Sequence, residues 1–125
     1  MELSSTHLRY LYAIYEIFRT SPEIRSSIIA SRMEVSRPSV AKMLGVLIDK
    51  GLIEKEKYGK IHITEKGLII AREFDRRVCV LTGQLKNAGL GLTDGELHKA
   101  VCILASVINE KSRVGSAADG LPTGA

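Results

Sequence analysis

Residues 24–67, IRSSIIASRMEVSRPSVAKMLGVLIDKGLIEKEKYGKIHITEKG, decide the fold of this chain. The clearest helical signal lies in their middle, where Ser36 is a good N-cap, Pro38 follows in the first turn and Gly51 supplies a left-handed stop. Between these punctuation marks Val40, Met43, Leu44, Leu47 and Ile48 recur at helical spacing on one face. Once that stripe is buried, the opposite and N-terminal faces present Ser36, Arg37, Ser39 and Lys42 to solvent.

Working outward, Ser21-Pro22-Glu23 reads as a cap, a first-turn proline and an early acid, which predicts a preceding helix running through Ile24, Ile28 and Ile29 to about Arg32. The Met33-Glu34-Val35 connection leaves room only for a sharp turn. Downstream, residues 52–57 and 60–64 are two short β-prone runs around Tyr58-Gly59, with Ile61 and Ile63 alternating against His62. A hairpin so short is marginal alone and must lean on the helices. Helix, tight turn, helix and hairpin in this order form a winged helix-turn-helix.

The exposed chemistry suits duplex DNA. A hydroxyl can donate to phosphates or base edges, and a guanidinium can make a bidentate contact with guanine in the major groove. Ser36, Arg37, Pro38, Ser39 and Lys42 are therefore expected in the major groove. Arg25, Ser26 and Ser27, at the start of the preceding helix, are expected on phosphates; Lys57, Tyr58 and Lys60, at the hairpin tip, along the backbone or minor groove. The competing reading is an ordinary capped surface helix. Charge favours the first: between Arg25 and Lys66 nine Lys or Arg face five Asp or Glu, so the whole formal net charge of +4 falls in this unit.

The flanks complete an otherwise helical chain. A first helix over about Thr6 to Arg19 places Leu8, Leu11, Tyr12, Tyr15 and Phe18 on one stripe, a core-facing pattern. After the hairpin, Thr64 can cap a long helix carrying Leu68, Ala71, Phe74, Val78, Leu81 and Leu85. A last helix starts at the T-x-x-E capping box Thr93 to Glu96 and runs through Leu97, Val101, Leu104 and Ile108 to about Lys111. Two amphipathic helices after a complete winged unit are expected to pack together and against a second copy in a two-fold dimer. The expected organisation is a DNA-binding unit over residues 1–67, a helical dimerisation region over 68–111 and a mobile Gly, Ala and Ser-rich tail over 112–125.

At 125 residues and 45% hydrophobic the chain suffices for one small core. No apolar run approaches the roughly 20 residues that span a bilayer and no leader pattern is evident, so a cytoplasmic location is expected. Two cysteines suit reduced thiols better than a disulfide framework. Enzyme signatures are missing: there is no Gly-rich phosphate loop, nucleophile motif or paired carboxylates, and His7, His62 and His98 fall on three different elements.

The segment RSSIIASRMEVSRPSVAKMLGVLIDKGLIEKEKYGKIHITEKG, preceded by LRYLYAIYEI and followed by helices joined through GLGLTDGEL, resembles the diphtheria toxin repressor family of iron- and manganese-dependent regulators. The similarity covers roughly Ser5 to Glu110. It implies a dimer joined through the helices after the wing, and a bound divalent metal that orders the reading heads. The family draws its ligands from the opening helix, the start of the post-wing helix and an H-x-x-x-[C/E]-x-x-E-H pattern on the last helix. Here His98 and Cys102 match that pattern, but Ala105 and Ser106 replace its Glu and His. On the opening helix this chain has Arg9 and Tyr12, and the expected His and acid of the post-wing helix correspond to Cys79 and Gly83.

His98 and Cys102 stand at i and i+4, a spacing that lets two side chains close on one ion, with Cys79 on the helix expected alongside. A thiolate, imidazole and thiolate set suits zinc better than manganese, which prefers oxygen. Iron, manganese, zinc or no metal at all are thus the open alternatives, with Glu96 as the nearest carboxylate in sequence. Cys79 and Cys102 as a redox pair, or as core hydrophobes, are further ones. The reading overall is a homodimeric repressor on a pseudo-palindromic operator, metal-responsive as the resemblance implies. Its alternatives are a winged-helix protein-interaction module, and a metal-independent or thiol-sensing regulator of the same fold.

Overall fold

The computed structural model describes residues 3–118, with side chains through residue 108. It contains α1 (Ser5–Thr20), α2 (Ser26–Met33), α3 (Arg37–Asp49), β1 (Ile53–Lys55), β2 (Ile61–Ile63), α4 (Glu65–Asn87) and α5 (Asp94–Ala118). The fold is mainly α with one antiparallel hairpin, in register Ile53 to Ile63, Glu54 to His62 and Lys55 to Ile61. This is the winged helix-turn-helix followed by two long helices.

Local chemistry explains most boundaries. Ser36 caps α3 by accepting from the Ser39 N–H at 3.2 Å, and Gly51 ends the following turn at φ +76°. Thr64 caps α4 through the Gly67 N–H at 3.0 Å. Thr93 and Glu96 form the reciprocal capping box of α5, at 2.9 and 3.1 Å. A second capping box, unforeseen in the sequence, opens α1: Ser4 accepts from the His7 N–H while the His7 ring accepts from the Ser4 N–H.

Four expectations are corrected. Ser21-Pro22-Glu23 does not open α2. Ser21 instead ends α1, its N–H bonding the Ile17 carbonyl, and its hydroxyl closes a local turn with Glu23. The helix cannot start until Ser26 because the Ile24 carbonyl is taken by the Ile61 N–H of β2 at 3.2 Å. Phe18 leaves the α1 stripe and is 46% exposed, whereas Leu8, Leu11, Tyr12 and Tyr15 are buried. Ile48 likewise stands out of the α3 stripe. α5 runs beyond Lys111 to Ala118, no proline intervening before Pro122; residues 119–125 of the expected tail lie outside the described residues.

One core crosses the whole chain. α1 is its axis, contacting α2, α3, α4, α5 and β2. Val40, Leu44 and Leu47 of α3 join Ala71, Phe74 and Val78 of α4 and Leu97, Val101 and Ala105 of α5 in one continuous cluster around it. Gly67 sets the joint between wing and α4, since any Cβ there would overlap the Leu52 carbonyl oxygen and the Ile63 side chain. No helix among the described residues is long and apolar enough to cross a membrane.

Candidate nucleic-acid interface

α3 turns its apolar stripe inward and leaves Ser36, Arg37, Pro38 and Ser39 exposed around its first turn and Lys42 exposed beyond it. Arg37 and Lys42 make no ion pair with the described residues, so both cations are available to a ligand. Ser36 and Ser39 share a hydroxyl contact of 2.9 Å at the helix start. α2 begins at Arg25 with no side chain capping its first turn. The Ile28 N–H bonds the Arg25 carbonyl at 3.0 Å, while the first turn at Ser26 and the exposed Ser27 has no side-chain cap, the kind of helix start at which an anion can be held.

The hairpin tip lies on the same side as this helix start. Arg25 donates through Nη1 to the Tyr58 carbonyl at 3.4 Å and through Nε to Glu23 at 3.1 Å, tying wing to helix. Lys57 and Tyr58 are exposed, the Tyr58 ring 84% so, and Lys60 is partly covered. The His62 ring and Glu56 Oε2 meet at 2.5 Å on the loop side of the hairpin. Sequence reasoning had named Arg25 as a phosphate ligand but carried no signal for its bond to the wing.

Of the three residues read as metal ligands, His98 and Cys102 are brought together and Cys79 is not. Cys79 is exposed on the outer face of α4 beside Arg72 and Arg76, while Cys102 is half-buried on α5; both are free thiols. The Cys102 Sγ meets His98 Nδ1 at 3.1 Å, but His98 Nε2 meets Glu16 Oε2 at 2.9 Å. Thiol and carboxylate thus occupy opposite nitrogens of one imidazole and cannot converge on a single ion. The other Glu16 oxygen accepts from Arg32 at 3.3 Å. Burial, with the Glu16 charge adding to it, pushes the Cys102 thiol up to about 12, so it stays protonated beside His98. Glu96, the nearest acid in sequence, is spent on the α5 cap.

The family's other ligand positions are filled with inert groups. Ala105 and Ser106 are fully buried, and the Ser106 hydroxyl donates to the Ile103 carbonyl at 2.7 Å. Tyr12 is buried against Phe74, with ring centroids 5.0 Å apart, and donates to Asp75 at 2.6 Å. That burial, reinforced by the bond to Asp75, raises its phenol far above the ordinary value and keeps it protonated. Among the described residues no three His, Cys, Asp or Glu side chains gather as a metal site. The donor set does not fit a divalent transition metal.

Helices α2 and α3 with the hairpin after them form a winged helix-turn-helix. Residues 2–61 match the family model described as iron dependent repressor, N-terminal DNA binding domain. These residues, just under half of the chain, are thus similar to the DNA-binding domain of the family that the sequence resembles. The transcriptional regulators MntR of Escherichia coli O6:H1 and O157:H7 are each 37% identical to it over 68 residues, 54% of this chain and 44% of theirs. The chain therefore spans less than half the length of these curated relatives. The manganese regulator SloR superimposes with a TM-score of 0.69 at 27% identity, over 91% of this chain and 54% of that one. Lactococcus lactis ZitR in complex with DNA superimposes at 0.60 with 21% identity, over 89% and 77% of the two chains, a likeness of fold.

Proposed function

We propose that this protein is a transcriptional repressor that reads a pseudo-palindromic DNA operator as a homodimer in the cytoplasm. The observation that carries the reading is the α3 surface: Arg37 and Lys42, two exposed cations with no ion pair among the described residues, stand beside hydroxyls on a helix whose other face is locked in the core. Arg37 supplies base readout. Lys42, Lys57 and Lys60, with the open start of α2, supply phosphate contacts that fix the register. The relatives named for transcription regulation share this half of the chain.

Dimerisation is supported by apolar side chains exposed on the two trailing helices, on α4 beside the Arg76–Glu73 ion pair. Ile69 and Val80 are exposed eleven residues apart on α4, close to three helical turns, and so lie on one side of it. Ile103 and Val107 share a side of α5. A second copy seated there would place two reading heads for successive major grooves. A divalent metal signal, whether iron, manganese or zinc, is what the family and the manganese regulator SloR favour, but the side chains described above do not fit it.

A salt titration of duplex binding tests the reading. Affinity should fall steeply and linearly on a logarithmic scale as salt rises. Arg37→Ala should weaken specific binding by about 1–3 kcal/mol and relax sequence preference, while Lys60→Ala should weaken all sequences alike and lower the salt slope by about 1. Equal losses on specific and random duplexes for Arg37→Ala would refute its role, and salt-insensitive binding would refute the function.

A further inference from the structure

We infer that this chain fixes its reading head through a side-chain bridge centred on Glu16, standing where its family uses a divalent cation, so that its DNA binding needs no metal. The inference rests on the DNA-reading assignment above and is drawn from contacts between elements that are distant in sequence.

Glu16 lies on α1 and divides its carboxylate between two other helices. Oε1 accepts from Arg32 of α2 at 3.3 Å, and Oε2 pairs with His98 of α5 at 2.9 Å. A second tie runs from Lys99 of α5 to Glu34, in the turn between α2 and α3, at 3.1 Å. A third holds α4 to α1, where Tyr12 donates to Asp75 at 2.6 Å and Arg19 approaches the same oxygen at 3.5 Å. The helix-turn-helix is thereby joined to both trailing helices by contacts within one chain. Each carboxylate in the set has an arginine, lysine or imidazole as its counter-group.

That arrangement does a metal's work and also excludes one. A coordinated ion would tie α1, α4 and α5 by drawing their donors to one point; here the donors are already paired with one another and with arginine, lysine and tyrosine groups of the protein. A divalent ion approaching Glu16 would meet Arg32 and, across Cys102, the field of Arg9, and like charges this close repel strongly outside bulk water. An arginine cannot shed its charge to make room. The bridges are partly exposed, so each adds little to global stability. Their contribution is positional: they set the angle between α2 and α5, and hence between the recognition helix and the surface proposed for the second copy.

The test uses the full chain stripped of metal by a chelator. Duplexes are selected from a random library in chelator and, separately, with Mn²⁺, Fe²⁺ or Zn²⁺; affinities are then read by fluorescence anisotropy, and metal uptake by calorimetry. Expected are the same selected sequences in every condition, affinities differing by less than about tenfold, or 1.4 kcal/mol, and no stoichiometric metal uptake. Glu16→Gln keeps the shape and removes the charge. It should weaken specific binding roughly tenfold, inside the usual range for coupled sites, leaving affinity for random duplex and the circular dichroism spectrum unchanged. Binding that appears only with added metal, or stoichiometric uptake that raises affinity, would overturn the inference while leaving the DNA reading intact. No retained duplex in any condition would overturn the DNA reading, and this inference with it. The metal comparison uses unmodified protein, so it decides the matter even if Glu16→Gln fails to fold.

Discussion

Cys102 and Cys79 are the same chemical group in opposed settings. Cys102 is held protonated up to about 12, from an ordinary 9.0, chiefly by burial and then by the Glu16 charge, with Arg9 and Arg32 opposing; Cys79 sits open on α4. A thiol-specific disulfide reagent at pH 8 should therefore titrate one thiol at least roughly tenfold faster than the other, and Cys79→Ser should remove the fast phase. The sign of the stability effect follows from the raised value. Below 9.0 both folded and unfolded thiols are protonated and Cys102 has no effect. Between 9.0 and about 12 only the unfolded chain gives up the proton, so stability falls as pH rises through that window. Melting temperatures measured across it should drop less steeply in Cys102→Ala. Sequence reading placed His98 and Cys102 correctly on one helix face because i and i+4 is a local rule. It missed Glu16, which is 82 residues from His98 and reaches it only through packing.

Elements were legible wherever the signal was local. Ser36, Gly51, Thr64 and the Thr93 box each mark a boundary because a cap is satisfied within three or four residues of itself. The start of α2 was misread because its delay comes from β2 capturing the Ile24 carbonyl, a contact across 37 positions of chain that no propensity encodes. The joint between wing and α4 is equally nonlocal. Thr64 donates to the Gly51 carbonyl at 2.7 Å and its N–H bonds the Leu52 carbonyl at 3.1 Å, drawing Gly67 flush against that strand entry. Gly67→Ala has no flexible side chain alone to displace there and must shift backbone. It should cost about 1–3 kcal/mol, measured by chemical denaturation, and the wing should loosen before the rest, seen as faster hydrogen exchange at Ile61 and Ile63.

The trailing helices belong to the same core as the reading head, which the sequence suggested only in part: their amphipathic spacing was visible, but α1 as the axis they share was not. Phe74, Val78, Leu97 and Val101 close on α1 from one side as Leu44 and Leu47 do from another. Ile103 and Val107 stay exposed on α5. Ile103→Glu combined with Val107→Glu should convert the protein to monomers in analytical ultracentrifugation and weaken operator binding by about 100-fold or more, through loss of the second half-site, while a single half-site is bound as before. Monomeric unmodified protein at micromolar concentration would refute the dimer. The continuous core also bears on whether this reading head is a portable part. A fragment cut after Gly67 would bare the Tyr12 and Leu8 side of α1 and lose Asp75, the partner of the Tyr12 hydroxyl. Grafting this specificity onto another sensor would therefore require carrying α4 and the first turns of α5 with it; the unit of exchange is the whole helical body, and the wing is no seam.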